Sequence, residues 1–444
     1  MAQGAGRRYF HPAAERDALI WKALHSPSAI AAARVASSVL NLVSAPLVAR
    51  GLGAEGRGLV AAGLAALAIL PIVVGFGLPL VVRRRALEEP DEALVRTARL
   101  LAAQLLVPSC IFAALFDQLL FSSQEPAARL IMAVGLALSP LIVVRNIDVS
   151  VLIVRQNYGG ISLCYFLQPV LYVASVLVLW IFDCISVSSV LGANVGSSLA
   201  SLILTSRLVR VSIRGERNVM WPMAWESGRI GGSQVAEVAS SRLDQLVALP
   251  LIGASESGLY AIAVTISALP LVFSHALGAA IFSPIGRMSE PDRSRYASVA
   301  VRLSLAGGIV ATAPIAMASP FLVPVIFGSD FAESVAATLV SLCASPLTMA
   351  TYVAGALMVA RGRGGVLAWI QVAGTAVDVL LVFVLGANFG ALGFSICSSL
   401  SYALVCILCL LFGDFRWKSL VPRLRDPLMF CGLLTGHRRA DSIL

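Results

Sequence analysis

Hydrophobic and polar positions along this chain alternate on a long period. Runs of about 20 apolar residues, enough helix to cross a bilayer core of about 30 Å, are separated by short polar or charged connections. Twelve such blocks run near 27–49, 58–82, 94–116, 127–153, 159–181, 188–206, 230–252, 258–284, 297–318, 334–360, 365–385 and 391–413. The pattern predicts an all-α polytopic membrane protein with about 12 transmembrane helices. The strict two-residue alternation of an outer-membrane barrel is missing. Prolines fall inside many blocks, among them Pro46, Pro108, Pro140, Pro169, Pro250, Pro314 and Pro346. Each frees a backbone carbonyl and bends its helix, which a bundle tolerates where neighbours or water satisfy the freed group.

The block pattern contains a repeat. LGAEGRGLVAAGLAALA, from Leu52 to Ala68, returns 200 residues later as IGASESGLYAIAVTISA, from Ile252 to Ala268. Identical pairs include Gly53/Gly253, Ala54/Ala254, Gly58/Gly258 and Leu59/Leu259. Both copies read as a Gly-rich hairpin leading into a long apolar helix, with Pro71 and Pro270 at nearly the same depth. Parallel repeats of this kind occur in transporters whose two halves face each other across a central cavity.

Charge then sets orientation. With the N-terminus inside, twenty-four of the 33 Lys and Arg fall in inner segments, and only Arg50 and Arg57 in outer connections. The positive-inside rule places both termini in the cytoplasm. The expected organisation is a tail over 1–26, a six-helix bundle over 27–206, a cytoplasmic linker over 207–229, a second six-helix bundle over 230–413 and a tail over 414–444. The N-terminal AAERDALIWKALH reads either as a short amphipathic helix on the inner surface or as a solvated tail.

Composition agrees with this. The chain of 444 residues is 58% hydrophobic and 13% charged, with mean hydropathy +0.87, against about 25% charged residues in a soluble chain. The net charge of +9 is explained by topology, so no nucleic-acid partner is expected. Cys406 and Cys409 form a CxxC inside the last block, without a second pair or a nearby histidine, and read as buried helix cysteines. No P-loop, HExxH or EF-hand pattern is present. No cofactor and no enzyme activity are expected.

A charge at the bilayer centre costs about 2.5–3.5 kcal/mol on insertion scales, so it faces a cavity or a partner. Arg34 in the first block and Arg145 in the fourth are candidates for binding an anionic group, because a guanidinium donates a planar fork to such oxygens and stays charged. Their structural alternatives are snorkelling for Arg34 and a local ion pair with Asp148 for Arg145. Glu237 and Asp244 lie nearly two turns apart on one face, with Ser240 and Ser241 close by. They suit a cavity stripe for substrate hydroxyls, a cation or a proton, or else interhelical pairing. Asp378 and His275 are further candidates for a cavity or coupling role.

The first half contains ARGLGAEGRGLV and VGFGLPLVVRRR. The second contains SSRLDQLVALPLIGASESGLYAIA and PFLVPVIFGSDFAESV, and ends in LMVARGRGGVLAWIQVAGTAVDVLLVFVLGANFGALGFSICSSL. These segments resemble the polysaccharide-exporter or Wzx-like oligosaccharide flippase family of the multidrug/oligosaccharidyl-lipid/polysaccharide (MOP) superfamily. The resemblance implies two six-helix bundles in a V, related by a pseudo-twofold along the membrane normal. It implies alternating access for a polyprenyl-diphosphate-linked oligosaccharide across the bacterial inner membrane in surface polysaccharide biosynthesis, with Arg34 and Arg145 as candidates for binding the diphosphate. Expected partners are membrane lipids, the lipid-linked oligosaccharide, and a polysaccharide polymerase or glycosyltransferases. Twelve blocks depart from the fourteen usual in the lipid II flippase branch. The rivals are a cation-coupled drug or metabolite exporter of the same superfamily, which predicts a compact acidic site, and a membrane glycosyltransferase or polysaccharide polymerase, which predicts a long outer loop.

Overall fold

The computed structural model describes residues 27–88, 92–122, 124–212, 214–274 and 290–415, together with Leu420, Arg423, Asp426 and Met429. The expected tail over 1–26 and the candidate His275 lie outside the described residues. The first half comprises α1 (Pro27–Gly75), α2 (Leu78–Glu88), α3 (Glu92–Gln104), α4 (Leu106–Phe116), α5 (Pro126–Ala137), α6 (Ser139–Val154), α7 (Tyr158–Ile181) and α8 (Val187–Leu208). The second comprises α9 (Met220–Ser267), α10 (Glu290–Phe327), α11 (Ser334–Ala360), α12 (Gly364–Leu381) and α13 (Ala387–Phe412).

α1, α9 and the apolar stretch Gly364–Phe412, which runs through α12 into α13, are each long enough for two crossings. At about 1.5 Å per residue, a helix the length of α1 would reach about 73 Å, more than twice a bilayer core. α1 breaks at Gly53 (φ 66°, ψ −171°) and α9 breaks at Gly253 (φ 78°, ψ 173°). The two repeat copies therefore place the same left-handed glycine at the same position, a conformation that a Cβ disfavours. Residues on both sides of Gly53, Ser44 and Val48 before it and Ala61 and Leu64 after it, line one cavity, so the chain doubles back there. The stretch Gly364–Phe412 has its break at Gly390 (φ 56°), near the start of α13. Nine apolar stretches lie among the described residues when the bent pair α5 and α6 (43°) is one span. Three of the nine turn at a glycine, which gives twelve membrane arms.

The halves meet most extensively along α1 and α9. At the seam the repeat contacts itself. A Cβ on Gly58 would lie 1.9 Å from the Ala254 carbonyl oxygen, and a Cβ on Gly258 would lie 1.9 Å from the Ala54 carbonyl oxygen. This reciprocal backbone approach leaves no room for any side chain. Nearby, Arg50 spans the halves, donating from Nε to the Ile326 carbonyl at 2.9 Å and from Nη2 to that of Val325. Those carbonyls belong to the last turn of α10, where helix carbonyls lack partners.

At the opposite end of the seam, Gly77 and Gly231 also approach backbone to backbone, and Ser227 donates to the Phe76 carbonyl at 2.9 Å. The connection between the halves is pinned to α3. Arg99 donates to the Val209 carbonyl at 2.9 Å, Arg96 to that of Ser212 at 2.7 Å, and the Asn218 N–H donates to Thr97 Oγ1 at 2.9 Å. Helix α9 begins at Met220, so residues 220–229 of the expected linker are helical.

Candidate functional site

Between the halves lies a cavity of about 690 Å³, walled by both arms of α1, by α5 to α8 and by both arms of α9. Among the described residues its charged lining is Arg57, Arg145 and Arg242, with no Asp or Glu. Polar neutral groups, including Asn41, Asn146, Gln168, Asn194 and Gln245, complete a wall that can donate and accept hydrogen bonds.

Arg145 reaches this wall as the sequence predicts. Its Nε donates to Ser201 Oγ at 2.9 Å, and its Nη2 points to the Cys164 carbonyl at 3.4 Å. The alternative pairing with Asp148 does not form. Asp148 is fully buried and takes both bonds of a fork from Arg99, at 3.0 and 2.7 Å, with Ser206 donating at 3.1 Å. Arg99 thus frees Arg145 for the cavity.

Arg57 is the residue that sequence reasoning missed. It counts as an outer-loop cation if the second block starts at 58. Because helix resumes directly after Gly53, Arg57 already stands one turn inside. It is 8% exposed and its Nη2 donates to Thr265 Oγ1 of the second half at 3.2 Å, while its buried Nε has no hydrogen-bond partner. Arg242 of the second half stands within electrostatic range of it. The available signal was the glycine pattern: Gly53 restarts a helix, and the fourth residue of a helix already faces its neighbours.

Arg34 is exposed and lies outside the cavity wall. It stacks its guanidinium 4.8 Å from the centre of the Tyr165 ring and donates to the Tyr165 hydroxyl at 3.1 Å. Ser38, one turn further along α1, lines the cavity, so Arg34 stands just beyond its mouth. Glu237 is exposed on α9, also off the wall.

Asp244, expected to bind substrate, does not line this cavity. Two residues along a helix is a rotation of about 200°, so the wall holds Arg242 while Asp244 turns into the second half. There it is 6% exposed, accepts from the Tyr260 hydroxyl, and takes its own helix's Gln245 N–H at 2.8 Å. Tyr260 is 2.9 Å from Ser398 of α13. Asp378 of α12 stands within electrostatic range of Asp244 and beside Ser398, and its buried Oδ1 has no hydrogen-bond partner. One turn before Asp244, Ser240 bonds Thr375 and the Gln371 carbonyl of α12. Of the stripe read from the sequence, Ser240 meets α12 and Asp244 stands near Asp378 of that helix, while Glu237 and Ser241 are exposed. The site is thus divided: a basic cavity between the halves, and a carboxylate pair, Asp244 and Asp378, inside the second. Among the described residues no three His, Cys, Asp or Glu side chains gather as a metal cluster.

Comparison with known proteins bears on this geometry. A sequence model of the family described as "Polysaccharide biosynthesis protein" matches residues 24–288. The structure is similar to the lipid II flippase MurJ in an inward closed conformation, with TM-score 0.70 and 11% identity over 92% of this chain and 91% of that one. It is also similar to a multidrug resistance MATE family transporter of the MOP superfamily in an inward-facing conformation, with TM-score 0.67 and 16% identity over 88% of this chain and 98% of that one. A third similar structure is a MOP superfamily transporter from Pyrococcus furiosus described by the reverse polarity of its binding pocket, with TM-score 0.58 and 15% identity over 88% and 95%. A search of curated protein sequences finds no match. At such identities the structural likeness establishes a shared fold: a polytopic helical membrane protein of the MOP type. The family match covers more than half of the 444 residues and includes the whole first half with the seam and Arg57, Arg145 and Arg242, and on that basis the chain belongs to the polysaccharide biosynthesis protein family.

Proposed function

We propose that this protein is a flippase that carries a polyprenyl-diphosphate-linked oligosaccharide across the bacterial inner membrane by alternating access. The observation that carries this reading is the cavity wall, with three arginines from both halves and, among the described residues, no carboxylate. A diphosphate is too polar to enter hydrocarbon alone, and guanidinium forks replace its water. The neutral amides and hydroxyls on the same wall suit sugar hydroxyls. The polyprenyl tail stays in the bilayer. Two six-helix halves rock against one another, and the Gly58/Gly258 contact closes the outer side while the cavity loads from the cytoplasm.

The Asp244–Asp378 pair is the coupling site in this account. A cation or proton held near both carboxylates would offset their like charge. Such a site on α9 and α12 can change the set of α9, on which Arg242 is carried.

The competing drug-exporter reading needs an acidic cavity for a cation, whereas this wall is basic. The test is complementation of a strain lacking its own oligosaccharide flippase, with drug accumulation measured in parallel. The expected result is restored surface polysaccharide without a change in accumulation of cationic drugs. Drug efflux without polysaccharide would overturn the proposal.

A further inference from the structure

We propose that the inner ends of α2 and α9 form a binding site for the headgroup of an anionic phospholipid, bridging the two halves. Residues 220–233 of α9 precede its apolar span, which starts at Gln234. One face of this extension is packed against the protein: Met223 is fully buried and Ser227 is 7% exposed. The other face carries Trp221, Trp225 and Arg229 at four-residue intervals, one straight stripe on a helix. The tryptophans are 73% and 65% exposed, and Arg229 is exposed too.

Against this stripe stands the end of α2. A shallow groove of about 490 Å³ is lined by Arg84 from the first half and by Pro222, Trp225, Glu226, Arg229 and Ile230 from the second. Glu226 orients the arginines. It meets Arg84 at 2.6 Å and Arg85 at 2.9 Å. One carboxylate among Arg84, Arg85 and Arg229 leaves the groove positive.

Two features select a lipid over an acidic protein. Tryptophan with one apolar face and one polar edge collects at the membrane–water boundary, and this stripe lies at the end of a membrane span. Arginines beside it at that depth meet the anionic headgroups of the inner leaflet. Arg84 and Arg229 stand on different halves, beside the backbone contact of Gly77 with Gly231. A headgroup held by both therefore ties the halves together at this end of the seam. The site is separate from the central cavity and does not depend on what that cavity carries.

The test uses the full chain in vesicles with Trp21, Trp180, Trp369 and Trp417 replaced by phenylalanine, so that Trp221 and Trp225 alone report. Fluorescence quenching is titrated with brominated phosphatidylglycerol or brominated phosphatidylcholine. Half-maximal quenching is expected at a mole fraction of phosphatidylglycerol roughly five-fold lower or more, the preference that one basic residue confers near an anionic surface. Arg84→Gln and Arg229→Gln should each reduce that preference, and together remove it, while quenching by phosphatidylcholine stays the same and reports an intact fold. Equal quenching by the two lipids in the protein that keeps its arginines would overturn the proposal. So would tryptophans that neither lipid quenches, because the stripe would then face water or a protein partner.

Discussion

Arg57, Arg99 and Arg145 all stand on first-half helices and do different things. Arg99 gives Nε and Nη2 to a fully buried carboxylate, and Nη2 also donates to the connection between the halves. Arg145 and Arg57 are held by hydroxyls and a carbonyl, which fix direction without neutralising charge. A stability prediction follows for the first. Arg99→Ala leaves Asp148 buried with Ser206 alone, and should cost about 3 kcal/mol or more, seen as lower folded abundance and an earlier thermal transition in detergent. Melting at the temperature of the unchanged protein would show that Asp148 is protonated or solvated and that the pair holds nothing. Sequence spacing put Arg145 and Asp148 on one face, which is where they are. It could not show that a third block supplies Asp148 with a better partner, because that choice is made by packing between helices. The same limit applies to Asp244, whose stripe was legible but not the neighbour it faces.

At the scale of elements, the repeat is the part of the structure most directly written in the sequence. Gly53 and Gly253 are both left-handed turns, and Gly58 and Gly258 are both contact points, each against the other copy. The glycine identities marked positions where a side chain has no room. The block boundaries were less legible. Hydropathy alone does not see a helix restart in a polar stretch, so Arg57 was assigned to a loop. The symmetric contact also makes a prediction. Gly58→Val or Gly258→Val places carbon atoms on a carbonyl oxygen of the opposite half, and should force the halves apart on that side. In a cysteine-free variant with Ser44→Cys on the cavity wall, labelling by a membrane-impermeant maleimide from outside should rise several-fold. Labelling that stays at the background rate would show that the contact yields locally and is no gate.

For the molecule as a whole, twelve arms, a seam built on a repeat and a basic cavity make a two-sided machine. Its orientation rests on the distribution of Lys and Arg. Single cysteines at Ala54, Ser255 and Asn388 should label from outside, and at Arg84, Arg214 and Arg361 only after permeabilisation; external labelling at Arg214 would contradict the two-half arrangement. Fold and family were legible because apolar length and glycine placement are fixed by the bilayer and by backbone geometry. Substrate was less so, because it depends on which few polar side chains converge, and those come from blocks far apart in sequence. The most direct measurement of the central claim is translocation of a fluorescent polyprenyl-diphosphate oligosaccharide in proteoliposomes. Transport is scored by access of an external enzyme to the sugar. The unchanged protein should move the substrate, and Arg57→Gln or Arg145→Gln should slow it by about ten-fold or more, consistent with loss of one charge-assisted hydrogen bond of about 1.5–3 kcal/mol. Lysine at either position should restore only part of the rate, because it keeps the charge and loses the fork. Normal transport in both glutamine variants, with normal protein abundance, would contradict the assignment of this cavity as the diphosphate site.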